Sequence, residues 1–280
     1  MTTSNPPVAR LQLGQLLREL REAARKTRHE AAEELECQHP KISKIETGKA
    51  TIGPGDVRLL LTLYDTDHGT ANTVVQLARE ARKRTTQRVP DWARRFVALE
   101  SISDDIRTYE AELVPGLLQT EDYERAIAKA ANPEQSLGET ERLVAVRAER
   151  QAQLTGEDPP QLWAVINEAV IRRPVGGTEV MRKQVGYLRE MAELPKITLQ
   201  VLPFSAGAHV AMGSSFAMLT LQEPTGAEVV YTEDLANADY LDGRAHIARY
   251  TRVFDRLQVA ALGEAETMTL LDQAIREGTQ

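Results

Sequence analysis

Two folds in series are expected of this 280-residue chain. An all-α domain of five short helices should occupy residues 1–85. An α+β domain, with helices packed on a small mixed or antiparallel sheet, should occupy residues 86–280. Three observations point there. Through residue 81 the apolar side chains recur at helical spacing. Alternating, β-branched stretches appear in the second part and are clearest after residue 196. The charge also changes sign, since residues 1–85 carry 14 Lys and Arg against 11 Asp and Glu (+3). The remainder carries 20 against 30 (−10), and the whole chain is at −7.

The elements follow in order. Residues 1–9 read as a flexible arm. Leu13, Leu16, Leu17, Leu20 and Ala24 place a first helix over about Leu11–Arg25. Thr27 can cap a second helix and form a capping box with Glu30, and Ala31, Ala32 and Leu35 make its inner face. Glu36, Cys37 and Gln38 form a turn, and a third helix begins at Gln38 or His39 with Pro40 in its first turn. Ile42 and Ile45 point this helix inward, and Gly48 suits the left-handed residue that ends it. His39, Lys41, Ser43 and Lys44 are left as an outward polar face. Gly53-Pro54-Gly55 reads as a loop, and Val57, Leu60, Leu61 and Tyr64 make a fourth helix. Asp67 caps a fifth, with Val74, Val75, Ala78 and Ala81 inside. Arg79 to Arg88 is a basic helix end running into a linker.

In the second domain, a helix is expected around Asp91–Glu100, and a strand or extended connection over Ile102–Val114. Helices follow at Thr120 and over Glu141–Thr155, then a short buried strand at Leu162–Ile166 and a helix over Glu179–Glu193. Strands at Ile197–Leu202, Ser215–Leu221 and Glu228–Thr232 come next, the last two joined as a hairpin through Pro224-Thr225-Gly226. Helices over Arg244–Leu262 and Glu264–Arg276 close the chain.

With 42% hydrophobic and 27% charged residues the composition is that of a globular protein. The single cysteine, Cys37, leaves no internal disulfide and suits a reducing cytoplasm. No segment has a signal peptide's apolar core or the ~18 apolar residues that span a bilayer, so a cytoplasmic location without membrane contact is expected. The five histidines have no metal-ligand spacing, and the common nucleophile, phosphate-loop and dinucleotide motifs are missing. No catalytic residue, metal or cofactor is therefore assigned. The most site-like stretch is the glycine-rich Ser205–Ser215, which holds His209 and Ser214, with Glu233 and Asp234 nearby. A hydrolase-like site there, tethered to DNA, is the alternative reading.

The stretch KTRHEAAEELECQHPKISKIETGK, Lys26–Lys49, resembles the helix-turn-helix of the lambda-repressor-like (XRE-type) regulators. By position, the resemblance implies base-edge contacts from Gln38, His39 and Lys44 and a phosphate contact from Arg28. Two residues depart from it: Glu36 stands where the family usually has Gly, and Pro40 where a polar base-contacting residue is common. On the residues themselves, Lys41 and Ser43 share the outward face, and Lys49 should touch phosphate. Further on, VPGLLQTEDY, LWAVINEAVIRRPVGG, ITLQVLPFSAGAH and IARYTRVFDRL resemble the C-terminal domain of a large bacterial regulator family described as antitoxin-like. That resemblance implies a small protein partner encoded by a neighbouring gene. The whole suggests a sequence-specific regulator of transcription that binds double-stranded DNA as a homodimer, its second domain serving dimerisation and response to a partner or ligand.

Overall fold

The computed structural model describes residues 6–82, 94–222, 226–234 and 237–277. The boundary expected at 85/86, residues 1–5 of the expected arm, the start of the helix expected at Asp91 and the Pro224-Thr225 pair of the hairpin turn lie outside them, while residues 6–9, expected in the arm, are helical. The described residues up to Ile102 form one compact unit, and those from Ser103 onward form a second.

The first unit is helical: α1 (Pro6–Ala23), α2 (Arg28–Glu34), α3 (His39–Glu46), α4 (Pro54–Leu63), α5 (His68–Ala81) and α6 (Arg94–Glu100). Two starts differ from expectation. The first helix begins at Pro6 rather than Leu11, and the fourth begins at Pro54 itself, with Gly53 as its cap. Both have the same cause, because a first-turn residue needs no N–H donor and proline already has a helical φ. Leu13, Leu17, Ala31, Ile42, Ile45, Val57, Leu60, Val74 and Ala78 make the core. Asp67 caps α5, accepting from the N–H groups of Gly69 and Thr70 at 2.9 and 3.0 Å. Helix α1 packs against α3, α5 and α6.

Helices α1 to α4 end alike. Arg25, Glu36, Gly48 and Asp65 have φ of 55°, 48°, 68° and 52°. The next N–H in each case reaches back five residues: Lys26 to Arg21, Cys37 to Ala32, Lys49 to Lys44 and Thr66 to Leu61, at 2.8–3.0 Å. These are Schellman closures, which satisfy carbonyls the helix end would otherwise orphan. They turn the chain sharply, so five helices fit with short connections.

In the second unit the strands are β1 (Ser103–Glu110), β2 (Gln161–Asn167), β3 (Ile197–Leu202), β4 (Phe216–Leu221), β5 (Glu228–Glu233) and β6 (Ala238–Leu241). Among the described residues they make one six-stranded mixed sheet of order β3-β2-β1-β4-β5-β6. Strands β1, β2 and β3 are parallel, and the β4–β5 hairpin and β6 are antiparallel. A parallel neighbour requires a crossover. Helices α7 (Glu121–Ala131) and α8 (Leu137–Gln151) cross from β1 to β2, and α9 (Glu168–Arg172) and α10 (Thr178–Met191) from β2 to β3. Helix α8 starts four residues before the expected Glu141, because Ser136 and Glu139 form a capping box. On one sheet face Tyr109, Val165, Phe216, Met218 and Val230 pack under Phe254 and Leu257 of α11 (Arg244–Ala260). Helix α12 (Glu264–Glu277) lies against α10 and β3. No described helix is long and apolar enough to cross a membrane.

Candidate nucleic-acid interface

The helix expected to read DNA is α3, and the sequence around it fixes both of its ends. Thr27 opens α2 with its hydroxyl accepting from the Glu30 N–H at 3.2 Å, while the Glu30 carboxylate accepts from the Thr27 N–H at 2.8 Å. The N–H and hydroxyl of Thr27, both donating to that carboxylate, bring the Glu30 pKa down to about 2 with help from Lys26. Seven residues of α2 then deliver the chain into the Glu36 turn. Gln38 is the N-cap of α3 in extended conformation, and its side chain makes no capping hydrogen bond. His39 and Pro40 fill the first two positions. Ile42 and Ile45, only 1% and 2% exposed, anchor the inner face.

A buried ion cluster holds the far end of α3. Glu46 is 4% exposed and accepts from Arg21 Nε at 2.5 Å, Arg21 Nη2 at 3.2 Å and Arg28 Nε at 2.7 Å. Arg21 also donates to the Lys26 carbonyl at 2.9 Å. One carboxylate thus ties α1, the α1–α2 turn and the start of α2 to α3. The bond to Glu46 raises the Arg21 pKa against the effect of burial. Nearby Tyr64 is pushed up to about 12 by burial and by the Glu46 charge. Losing Glu46 would strand a buried guanidinium, which costs about 3–5 kcal/mol in comparable cases. At Gly14 on α1, a Cβ would sit 2.4 Å from the Ile45 carbonyl oxygen, so α1 and α3 approach too closely for any other residue.

Each expected contact residue has a definite place. Gln38, His39, Lys41, Lys44 and Lys49 are exposed, and Ser43 is half-buried. Arg28 is half-buried, with its Nε committed to Glu46. The N–H of Lys49 closes the Schellman turn after α3, so its backbone is fixed while its side chain stays outside. Glu36, where a glycine was the usual residue, adopts φ 48°. The sequence reading did not find Arg21, Glu46 or Gly14. The first two were visible in principle: Glu46 lies four residues after Ile42, and Arg21 four after Leu17, so both fall on inward stripes.

The glycine-rich loop of the second unit reaches over the carboxyl end of β1. The Tyr109 hydroxyl and His209 Nε2 lie 3.4 Å apart, and His209 Nδ1 accepts from the Ala211 N–H at 3.4 Å. With Nδ1 accepting, Nε2 carries the proton and points it at the tyrosine oxygen. Burial lowers the His209 pKa, favouring this neutral form. Ser215 Oγ accepts from the Ala111 N–H at 3.1 Å, and Glu233 accepts from the Tyr231 hydroxyl at 2.5 Å. The His209 and Ser215 contacts fasten the loop to the sheet, whereas the Tyr231–Glu233 bond lies within β5.

Comparison with known families gives two matches. A helix-turn-helix domain matches residues 12–72, which contain all seven expected contact residues. A domain of unknown function, DUF5753, matches residues 93–273, more than half of the chain. Curated proteins and solved structures give no significant match.

Proposed function

The chain belongs to the DUF5753 family and carries a helix-turn-helix domain at its front, and from this we propose that it is a sequence-specific DNA-binding regulator of transcription of the XRE type. One observation carries the reading. A two-turn helix is anchored on one side by Ile42, Ile45 and the Arg21–Glu46–Arg28 cluster, and turns Gln38, His39, Lys41 and Lys44 to solvent. Fixed backbone with polar, cationic tips is what major-groove reading requires. In this reading Gln38, His39 and Lys44 meet base edges, Lys41 and Ser43 support them, and Arg28 and Lys49 meet phosphates.

The chain acts as a homodimer, because one such helix covers few base pairs and two-fold pairing doubles the readout. The second unit serves dimerisation and response rather than catalysis, with an antitoxin-like role and a small protein partner suggested by its motifs. Selection of the full chain's preferred DNA from a random pool tests both levels. Two half-sites about 10 base pairs apart should emerge, and the neighbouring small protein should change the fraction bound. A pool that never enriches would refute DNA reading. A lone half-site would refute the dimer, and indifference to the small protein would refute that partner.

A further inference from the structure

Proline is an unexpected residue in the middle of a reading surface. At about 100° per residue, with His39 at zero, the buried residues Ile45, Ile42 and Glu46 of α3 fall at roughly 240°, 300° and 340°. The centre of the opposite face is therefore at roughly 115°. Pro40 lies at roughly 100° and Lys44 at roughly 140°, one turn apart on a single stripe. Pro40 is exposed, as is Lys44. The residues facing farthest from the core are thus a cation and a ring with no donor or acceptor. Gln38, His39 and Lys41 stand around that ring, so it is an apolar spot within a polar surface.

The major groove offers one apolar feature to such a spot, the 5-methyl group of thymine. We propose that Pro40 is a specificity-determining residue that selects thymine by packing its ring against that methyl group. One helical turn is about 5.4 Å and one base-pair step about 3.4 Å, so this thymine lies one or two base pairs from the base read by Lys44. The ring cannot rotate away, and its place in the first turn costs no hydrogen bond. A polar side chain there would instead demand a partner. This inference rests on α3 being the reading helix.

The test uses the full chain and its selected site, with each thymine replaced in turn by uracil, which removes only the methyl group. The parent should bind about fourfold more weakly at one thymine per half-site, the loss that goes with one buried methyl-sized group. Pro40→Ser should bind the thymine and uracil versions of that site equally. Equal binding by the parent at every replaced position overturns the assignment without needing the variant. So does a Pro40→Ser protein that keeps the parent's discrimination. Either result leaves the regulator reading intact, because selective binding would persist. A chain that selects no sequence overturns both.

Discussion

Glu46, buried, and Glu110, half-buried, are carboxylates held in different surroundings. Two guanidinium groups meet Glu46, so its charge is matched and the cluster works as a clamp. Glu110 ends β1 in a row with Ser215 and Glu233, because Tyr109 pairs with Phe216 and Ala217 with Tyr231. Burial pushes it up to about 7, the Ser215 and Thr108 hydroxyls pull against that, and Glu233 adds to it. The folded state therefore holds a proton that the unfolded chain releases at ordinary carboxylate pH. The contribution to stability is fully present below the unfolded value of 4.5 and is lost as pH rises toward about 7. Glu110→Gln should remove this slope. Thermal unfolding at pH 8 should show it more stable than the parent by about 3 kcal/mol, and at pH 5 by less than about 1 kcal/mol. An equal effect at both pH values would mean that Glu110 does not titrate in that range. The sequence could not reveal this, since the row exists only after β1, β4 and β5 pair across more than a hundred residues.

Among whole elements, legibility followed locality. Most ends set by a neighbouring side chain were readable, as Thr27, Asp67 and Thr120 show by capping α2, α5 and α7, while the Ser136–Glu139 box that opens α8 went unread. The four Schellman ends were readable only at Gly48, because Arg25, Glu36 and Asp65 carry no glycine signature. A side chain in that conformation costs about 1–2 kcal/mol, partly offset by the freedom glycine adds to the unfolded chain. Glu36→Gly should therefore stabilise the first unit by about 0.5–1 kcal/mol in denaturant unfolding. A loss of stability would show that the Glu36 side chain holds the turn. In the second unit, Ile197–Leu202 and the β4–β5 hairpin stood out by alternation. The four-residue β6 lacked length, and β1 shows burial on both faces that blurs its period. The string VPGLLQTEDY is distinctive for structural reasons. The Val114 N–H donates to the Tyr123 hydroxyl at 3.2 Å, Gln119 Nε2 donates to the Val114 carbonyl at 2.6 Å, and buried Gln184 Oε1 accepts from the Thr120 N–H at 2.7 Å. It therefore marks a family fold and says little of a ligand.

Across the whole molecule the decisive feature is charge separated along the chain. The +3 of residues 1–85 is available to phosphate, and the −10 of the remainder disfavours DNA contact there. Affinity should accordingly fall with salt, and base reading should be separable from phosphate contact. The most direct measurement is the affinity of the full chain, Lys44→Ala and Lys49→Ala for the selected site and a scrambled one across a salt series. Lys44→Ala should lose about 1–3 kcal/mol on the selected site only. Lys49→Ala should weaken both sites alike and lower the salt slope by about one. If Lys44→Ala binds the selected site as tightly as the parent, α3 is not the reading helix described here.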